Sequence, residues 1–145
     1  MTMPPKIAHR LRREEDGVAA LEFAIVSMVF LVILFGILTY GFIYGLDQSL
    51  NHAAEEGARS AISTTTDAAA ITKAQDTALQ RLSWLGASIQ AGDVVAAVAA
   101  CPNDVSVKCV TVTITYPWDT RPVIPKFPGL PTPNQLQAVA VVELT

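Results

Sequence analysis

Residues 17–46 read GVAALEFAIVSMVFLVILFGILTYGFIYGL, and the 24 residues 23–46 carry no charge. About 20 such residues take a helix across the hydrocarbon core of a bilayer, at ~1.5 Å of rise per residue. A helix on the surface of a soluble domain keeps a polar face; this one has none. The alternative is a buried helix of a soluble domain, which rarely stays uncharged for so long. Tyr40, Phe42 and Tyr44 gather at the C-terminal end of the run, where interfacial aromatic residues belong. Gly41 and Gly45 add a small-xxx-small spacing that permits close helix packing.

Outward from this run, Lys6, Arg10, Arg12 and Arg13 precede it, while Asp47, Glu55 and Glu56 follow before Arg59. Basic flanks stay on the cytoplasmic side and acidic ones count little. The expected topology is therefore single-pass in the inner (cytoplasmic) membrane, N-terminus inside and C-terminal part exported. The run is too long for the apolar part of a removable secretory signal, and no Ala-x-Ala site follows it. The whole chain of 145 residues is 51% hydrophobic and 16% charged, against about a quarter charged in ordinary soluble domains. Its net charge of -3 gives nucleic-acid binding no electrostatic support, and the exported part holds six basic and nine acidic residues. Two cysteines and two distant histidines, His9 and His52, exclude a four-thiolate zinc site and leave little for acid–base chemistry. No catalytic constellation, phosphate loop or metal-ligand cluster is legible, so no cofactor and no enzymatic activity are expected.

One carboxylate, Glu22, interrupts the apolar stretch at its start. A charge inside a membrane helix costs a few kcal/mol even on the mildest scale. Two readings follow: Glu22 lies at the cytoplasmic interface without a partner, or it is paired. Gly17 followed by Val18-Ala-Ala-Leu-Glu22-Phe23 and a long apolar helix resembles the type III prepilin signal, in which a leader ends in Gly and Glu stands at mature position five. The Glu22-Phe23 pair looks like that of the Flp class. The stretch Gln48-x-x-x-x-Ala53-Ala54-x-x-Gly57-Ala58-Arg59 resembles that of TadE-like proteins. So does the C-terminal pattern of a Thr/Val strand, Tyr116-Pro117-Trp118, a Pro-rich loop and a last apolar strand. Glu14, Glu15 and Asp16 depart from it, since basic residues are more usual directly before the glycine.

The resemblance implies a minor pseudopilin of a Flp/Tad (tight adherence) pilus. A prepilin peptidase would cut between Gly17 and Val18, where glycine lets an extended peptide thread a narrow cleft. Glu22, beside Phe23, would then pair with the N-terminal amine of a neighbouring subunit. Implied partners are TadF- or TadG-like minor subunits, the major Flp pilin, the membrane assembly platform and its ATPase, and the lipid bilayer itself; no nucleic acid is expected. The chain divides into a leader (1–17), a transmembrane helix (18–46) and an exported domain (47–145). Incorporation into an extracellular pilus is a further implication.

Past the membrane, Leu46, Leu50, Ala53, Ala54, Ala58 and Ile62 keep helical spacing. Thr64-Thr-Thr-Asp67 is a break with capping residues. A second amphipathic helix is expected over 67–85, with Ile71, Ala74, Ala78, Leu79, Leu82 and Leu85 as its stripe and Gly86 as its stop. Strands are expected near 93–100, 107–116 and 137–144. In the second, Val110, Val112, Ile114 and Tyr116 alternate with Thr111, Thr113 and Thr115. Cys101 and Cys109 flank a turn between the first two strands; after export they would form a disulfide, while a metal site would lack further ligands. Residues 117–136 hold six of the nine prolines, with Trp118, Val123, Ile124, Phe127 and Leu130. This loop either presents a surface to a partner subunit or folds back onto the sheet. The fold class is α+β: a long N-terminal helix, a second helix and a small three-stranded antiparallel sheet.

Besides the pilin-like role, two alternatives are consistent with these residues. One is an uncleaved, membrane-anchored accessory protein of the assembly machinery. The other is an exported module that binds a ligand or a surface.

Overall fold

The computed structural model describes the backbone of residues 5–144 and the side chains of residues 17–144. Lys6, Arg10, Arg12 and Arg13, on which the expected orientation rests, lie outside the described side chains, as does His9. The first helix, α1, is Pro5–Ala61 and the second, α2, is Asp67–Arg81. Strands β1 (Val94–Ala100), β2 (Lys108–Tyr116) and β3 (Leu136–Leu144) form one antiparallel sheet in the order β1-β2-β3. The α+β reading holds. The chain divides into two units, with the boundary between Tyr40 and Gly41.

In the first unit most described side chains of α1 are exposed, with Phe35 half-buried and Thr39 buried. Val18, Phe23, Met28, Ile33 and Ile37 are all exposed on different sides of the helix. Within α1, the stretch Gly17–Ala61 is long and apolar enough to cross a membrane.

In the second unit α1 changes character. Leu46, Leu50, Ala54, Ala58 and Ala61 are buried, while Gln48, His52, Glu55, Glu56 and Arg59 face solvent. The stripe recurs every three or four residues, as one helix face requires. The chain then breaks at the threonines: the Thr64 hydroxyl donates to the Ala61 carbonyl at 2.7 Å, and the Ala69 amide donates to the Thr66 side chain, which caps α2. That bond satisfies one of the helix's orphan N–H groups.

α2 is shorter than its periodicity predicts. It ends at Arg81, and Ser83–Ser88 tightens into 3-10 turns that include Gly86 with φ 56°. Leu82 and Leu85 remain buried. Three-residue spacing eclipses side chains in a 3-10 turn, so both leucines reach the core without a further α-helical turn. Gly86 does not stop α2: it lies within the 3-10 segment, at a kink in a backbone region that favours glycine.

The sheet keeps its period of two. Val110, Val112, Ile114 and Tyr116 are fully buried, and the intervening threonines are half-buried. Register places Val112 opposite Ala96 on one side and Ala140 on the other. This inner face meets α2, which packs on β1 and β2. One core joins the stripe of α1, the alanines of α2, the inner face of the sheet and Trp118.

Candidate functional site

The segment that carries the predicted cleavage and pairing residues lies on α1. Gly17 and Val18 are exposed, and nothing stands within 4 Å of a Cβ added at Gly17. Glu22 follows Val18 by one helical turn, so the two share a face. Its side chain is exposed, with no hydrogen bond or ion pair among the described residues, and Phe23 beside it is 75% exposed. Ile25, Val26, Val29, Phe30 and Ile33 line a shallow apolar groove along the same helix. Chemically this is an apolar rod with a single carboxylate near its start. It can pack against other apolar helices and offer one charge for pairing.

Glycine and alanine in the second half of α1 have a different task. A Cβ on Gly57 would stand 2.7 Å from the Ala74 carbonyl oxygen and 3.1 Å from the Ala78 Cβ. The two helices thus cross with backbone nearly against backbone, with Ala53, Ala54 and Ala58 buried on α1 and Ala70, Ala74 and Ala78 buried on α2. Ser60 donates to the Lys73 carbonyl at 3.3 Å, and the Lys73 ammonium donates to Ser63 at 2.6 Å across the same crossing. In the sequence Gly57 stands as part of the Gly57-Ala58-Arg59 signature, and this packing role is not read from it. The signal was present: small residues at spacings of four on both helices, Ala53-Gly57-Ala61 and Ala70-Ala74-Ala78. Gly41 and Gly45, by contrast, meet nothing within 4 Å.

Cys101 and Cys109 form the expected disulfide, with their Cα atoms 4.9 Å apart. It closes the turn between β1 and β2, where the Asp104 carboxylate accepts from the Ser106 hydroxyl at 2.6 Å and from its amide at 2.9 Å. The hydroxyl bond, with the amide's help, holds the Asp104 carboxyl below the usual carboxylate range. Among the described residues, no group of three or more His, Cys, Asp or Glu side chains is placed to hold a metal ion.

The Pro-rich loop folds back in part. Trp118 is buried, with its ring centroid 6.2 Å from that of Phe42, and Val123 and Ile124 pack against the core. The loop is pinned by polar bonds that sequence alone did not reveal. The Tyr116 hydroxyl donates to the Arg121 carbonyl at 2.5 Å; the Arg121 guanidinium donates to the Ser88 carbonyl at 3.0 Å and to the Asp93 carboxylate at 2.6 Å. The hydrogen bond to Asp93 raises the Arg121 pKa further above its usual value. Burial raises that of the Tyr116 phenol, since the phenolate is the form that loses hydration. Lys126 pairs with the Asp119 side chain and also donates to its carbonyl at 2.8 Å.

With this geometry in place, one comparison with known families bears on the first helix. Residues 17–59 match the TadE-like protein family. The matched segment starts at the predicted junction and ends at Arg59, so it includes both the bare apolar rod and the Gly57 crossing. No curated protein and no solved structure matches the chain. The TadE-like segment thus joins two devices on one helix: an exposed apolar half with Glu22, and a small-residue half that holds α2.

Proposed function

We propose that this protein is a pilin-like minor subunit for assembly of a Flp/Tad-type pilus. Its TadE-like segment implies association with the Flp/Tad pilus machinery in general; the pseudopilin role is the finer reading. The observation that carries it is the exposed apolar half of α1, with a lone carboxylate one turn after Gly17. In this reading residues 18–40 cross the inner membrane, a shorter span than 18–46 because Ile43 and Leu46 are buried in the second unit, and the folded unit is exported. Prepilin peptidase cuts between Gly17 and Val18. Gly17 lies inside α1, so the junction must unwind to reach an extended cleft, and a glycine weakens a helix by about 1 kcal/mol relative to alanine. Glu22 then pairs with the new amine of a neighbouring subunit. Within one chain these groups stand ~6 Å apart along the axis, four residues at 1.5 Å each, so intersubunit pairing sets an axial offset of about one helical turn. The neighbours are TadF- or TadG-like minor subunits and the major Flp pilin, delivered by the membrane platform and its ATPase. The protein has no catalytic role in this reading.

A second reading, the uncleaved membrane anchor, is favoured by the placement of Gly17 within a helix. One experiment separates the two. Full-length protein is produced in cells with and without the peptidase, as wild type and as Glu22→Gln. Its N-terminus is sequenced, and subunits are cross-linked through engineered cysteines on α1. The pilin-like reading expects an N-terminus at Val18 only with peptidase, equal membrane levels of both proteins, and loss of cross-links in Glu22→Gln. An amide is easier to insert than a carboxylate but leaves the neighbour's ammonium without its counter-charge. An intact N-terminus in peptidase-positive cells, or undiminished cross-links and piliation in the variant, overturns it.

A further inference from the structure

The outer face of the sheet is unlike a surface made for water. An antiparallel sheet with one wet face alternates apolar and polar residues along each strand. β2 does so, with Thr111, Thr113 and Thr115 on its outer side. Its two neighbours do not. β1 reads VVAAVAA and holds no polar residue; β3 reads LQAVAVVEL and is polar only at Gln137 and Glu143, near its ends. Register carries their odd-numbered residues onto one face: Val95, Thr113 and Val139 form one row across the sheet, and Ala97, Thr111 and Val141 the next. These rows are open, with Val95 56%, Val139 55% and Val141 46% exposed. The inner face of the same strands lies in the core. Strands apolar on both sides are the mark of a sheet covered on both sides.

We infer that this face is a contact between two copies of the chain, packed sheet against sheet. Two observations select a second copy. The first is charge. The chain has a net charge of -3, so copies repel where their acidic surfaces meet. The outer face holds one charge, Glu143 at its corner, and lets two acidic copies close without opposing or stripping charged groups. The second is shape. Ala96, Val112 and Ala140 share a row. A twofold axis along that row, between the two sheets, sets Val95 over the partner's Ala97, Val139 over the partner's Val141, Thr113 over the partner's Thr111 and Gln137 over the partner's Glu143. A large side chain then meets a small one at the β1 edge, and valine meets valine at the β3 edge. The lone carboxylate meets an amide instead of its own copy. Packed sheets cross at about 30°, which leaves the rows nearest the axis opposed.

The size of the face sets the strength of the contact. Three strands ~4.8 Å apart, over the seven paired positions of β1 and β2 at ~3.4 Å each, give roughly 14 by 24 Å, or about 340 Å² per copy. Each partner in a standard stable complex buries about 800 Å². The contact is therefore weak and reversible, and holding copies close together strengthens it. Lipid is a poorer occupant. The face has no Lys or Arg for anionic headgroups and no aromatic ring of the kind that marks a membrane interface. The inference does not depend on the pilin-like reading, since every residue in it belongs to the unit that begins at Gly41.

The test uses the full chain in micelles at increasing protein-to-detergent ratio. The native cysteines are held as a disulfide, so an added cysteine is the single free thiol. Thr113→Cys, beside the proposed axis, is treated with a short bifunctional maleimide. Thr72→Cys, exposed on α2, serves as the collision control. Cross-linked dimer should form several-fold more from Thr113→Cys than from the control. Adding Val139→Lys or Val95→Lys should lower it to the control level, with the near-ultraviolet circular dichroism unchanged. The two lysines stand on opposite edges of the sheet, so either carries the test if the other disturbs folding. Equal yields from Thr113→Cys and Thr72→Cys, or lysine variants that fold and still cross-link, overturn the proposal. A Thr113→Cys adduct in cells that joins only a chain of another mass also overturns it, by assigning the face to a different protein.

Discussion

Between residues 18 and 38, α1 leaves Val18, Leu21, Phe23, Val26, Phe30, Ile33 and Ile37 exposed on different sides. Between residues 43 and 61 the same helix confines its apolar side chains to one stripe and buries them. Hydrophobicity alone does not separate these halves, since the uncharged run continues to Leu46. Ile43 and Leu46 belong to the run but are buried in the second unit. The difference is one of surroundings. A helix that is apolar all round suits a solvent without water, whereas a stripe suits a packed core with water behind it. The glycines do not follow this division: Gly17, Gly41 and Gly45 all meet open space, and at Gly57 a neighbouring backbone fills the position.

The largest expected effect contrasts the halves directly. Leu50 is fully buried, and Leu50→Ala should destabilise the folded unit by about 3 kcal/mol. Phe30→Ala removes a larger side chain from the bare half and should leave that unfolding transition unmoved. Denaturant unfolding of the full chain in micelles, followed by near-ultraviolet circular dichroism, measures both. Equal losses would erase the distinction. Next comes the far turn. Replacing Cys101 and Cys109 by serine should cost roughly 2–3 kcal/mol in the chain-entropy account of a loop of this size, read as a lower denaturation midpoint that reducing agent no longer shifts.

The glycines sharpen the comparison further. Gly57→Ala forces its methyl group against the Ala74 carbonyl and should cost about 2 kcal/mol. Gly45→Ala meets open space and should stabilise by roughly 0.5–1 kcal/mol through helix propensity. Opposite signs in melting temperature are the expected readout; two gains would mean that the helices cross less closely than described.

The smallest effect concerns the loop. Tyr116→Phe loses the bond to the Arg121 carbonyl, worth about 1 kcal/mol. Burial raises the Tyr116 pKa above the usual 10.0, so the folded state keeps its proton to higher pH than the unfolded state. Its contribution is full below the unfolded value and is lost as pH rises through the folded one. Unfolding midpoints measured on either side of pH 10 should therefore fall more steeply for wild type than for Tyr116→Phe. Parallel curves would show that the phenol is not buried in solution.

Much of this fold is local enough to be read from the sequence. The apolar run, the threonine break after Ala61, the alternation from Val110 to Tyr116 and the turn between Cys101 and Cys109 each depend on neighbours a few residues apart. Glu22 and Gly17 were legible for the same reason: a charge in an apolar stretch and a glycine before it are visible without a fold. What the tertiary structure alone decided involves partners far along the chain. Gly57 needs Ala74 to acquire its meaning, and Arg121 needs Ser88 and Asp93. Trp118 needs Phe42. The end of α2 at Arg81 rather than near Leu85 is of this kind, because the core accepts Leu82 and Leu85 from a 3-10 turn as well as from an α-helix. Periodicity records which residues must be inside; it does not record how closely two backbones approach, nor which of two helical geometries delivers a side chain there. Those follow from the space that the rest of the chain leaves.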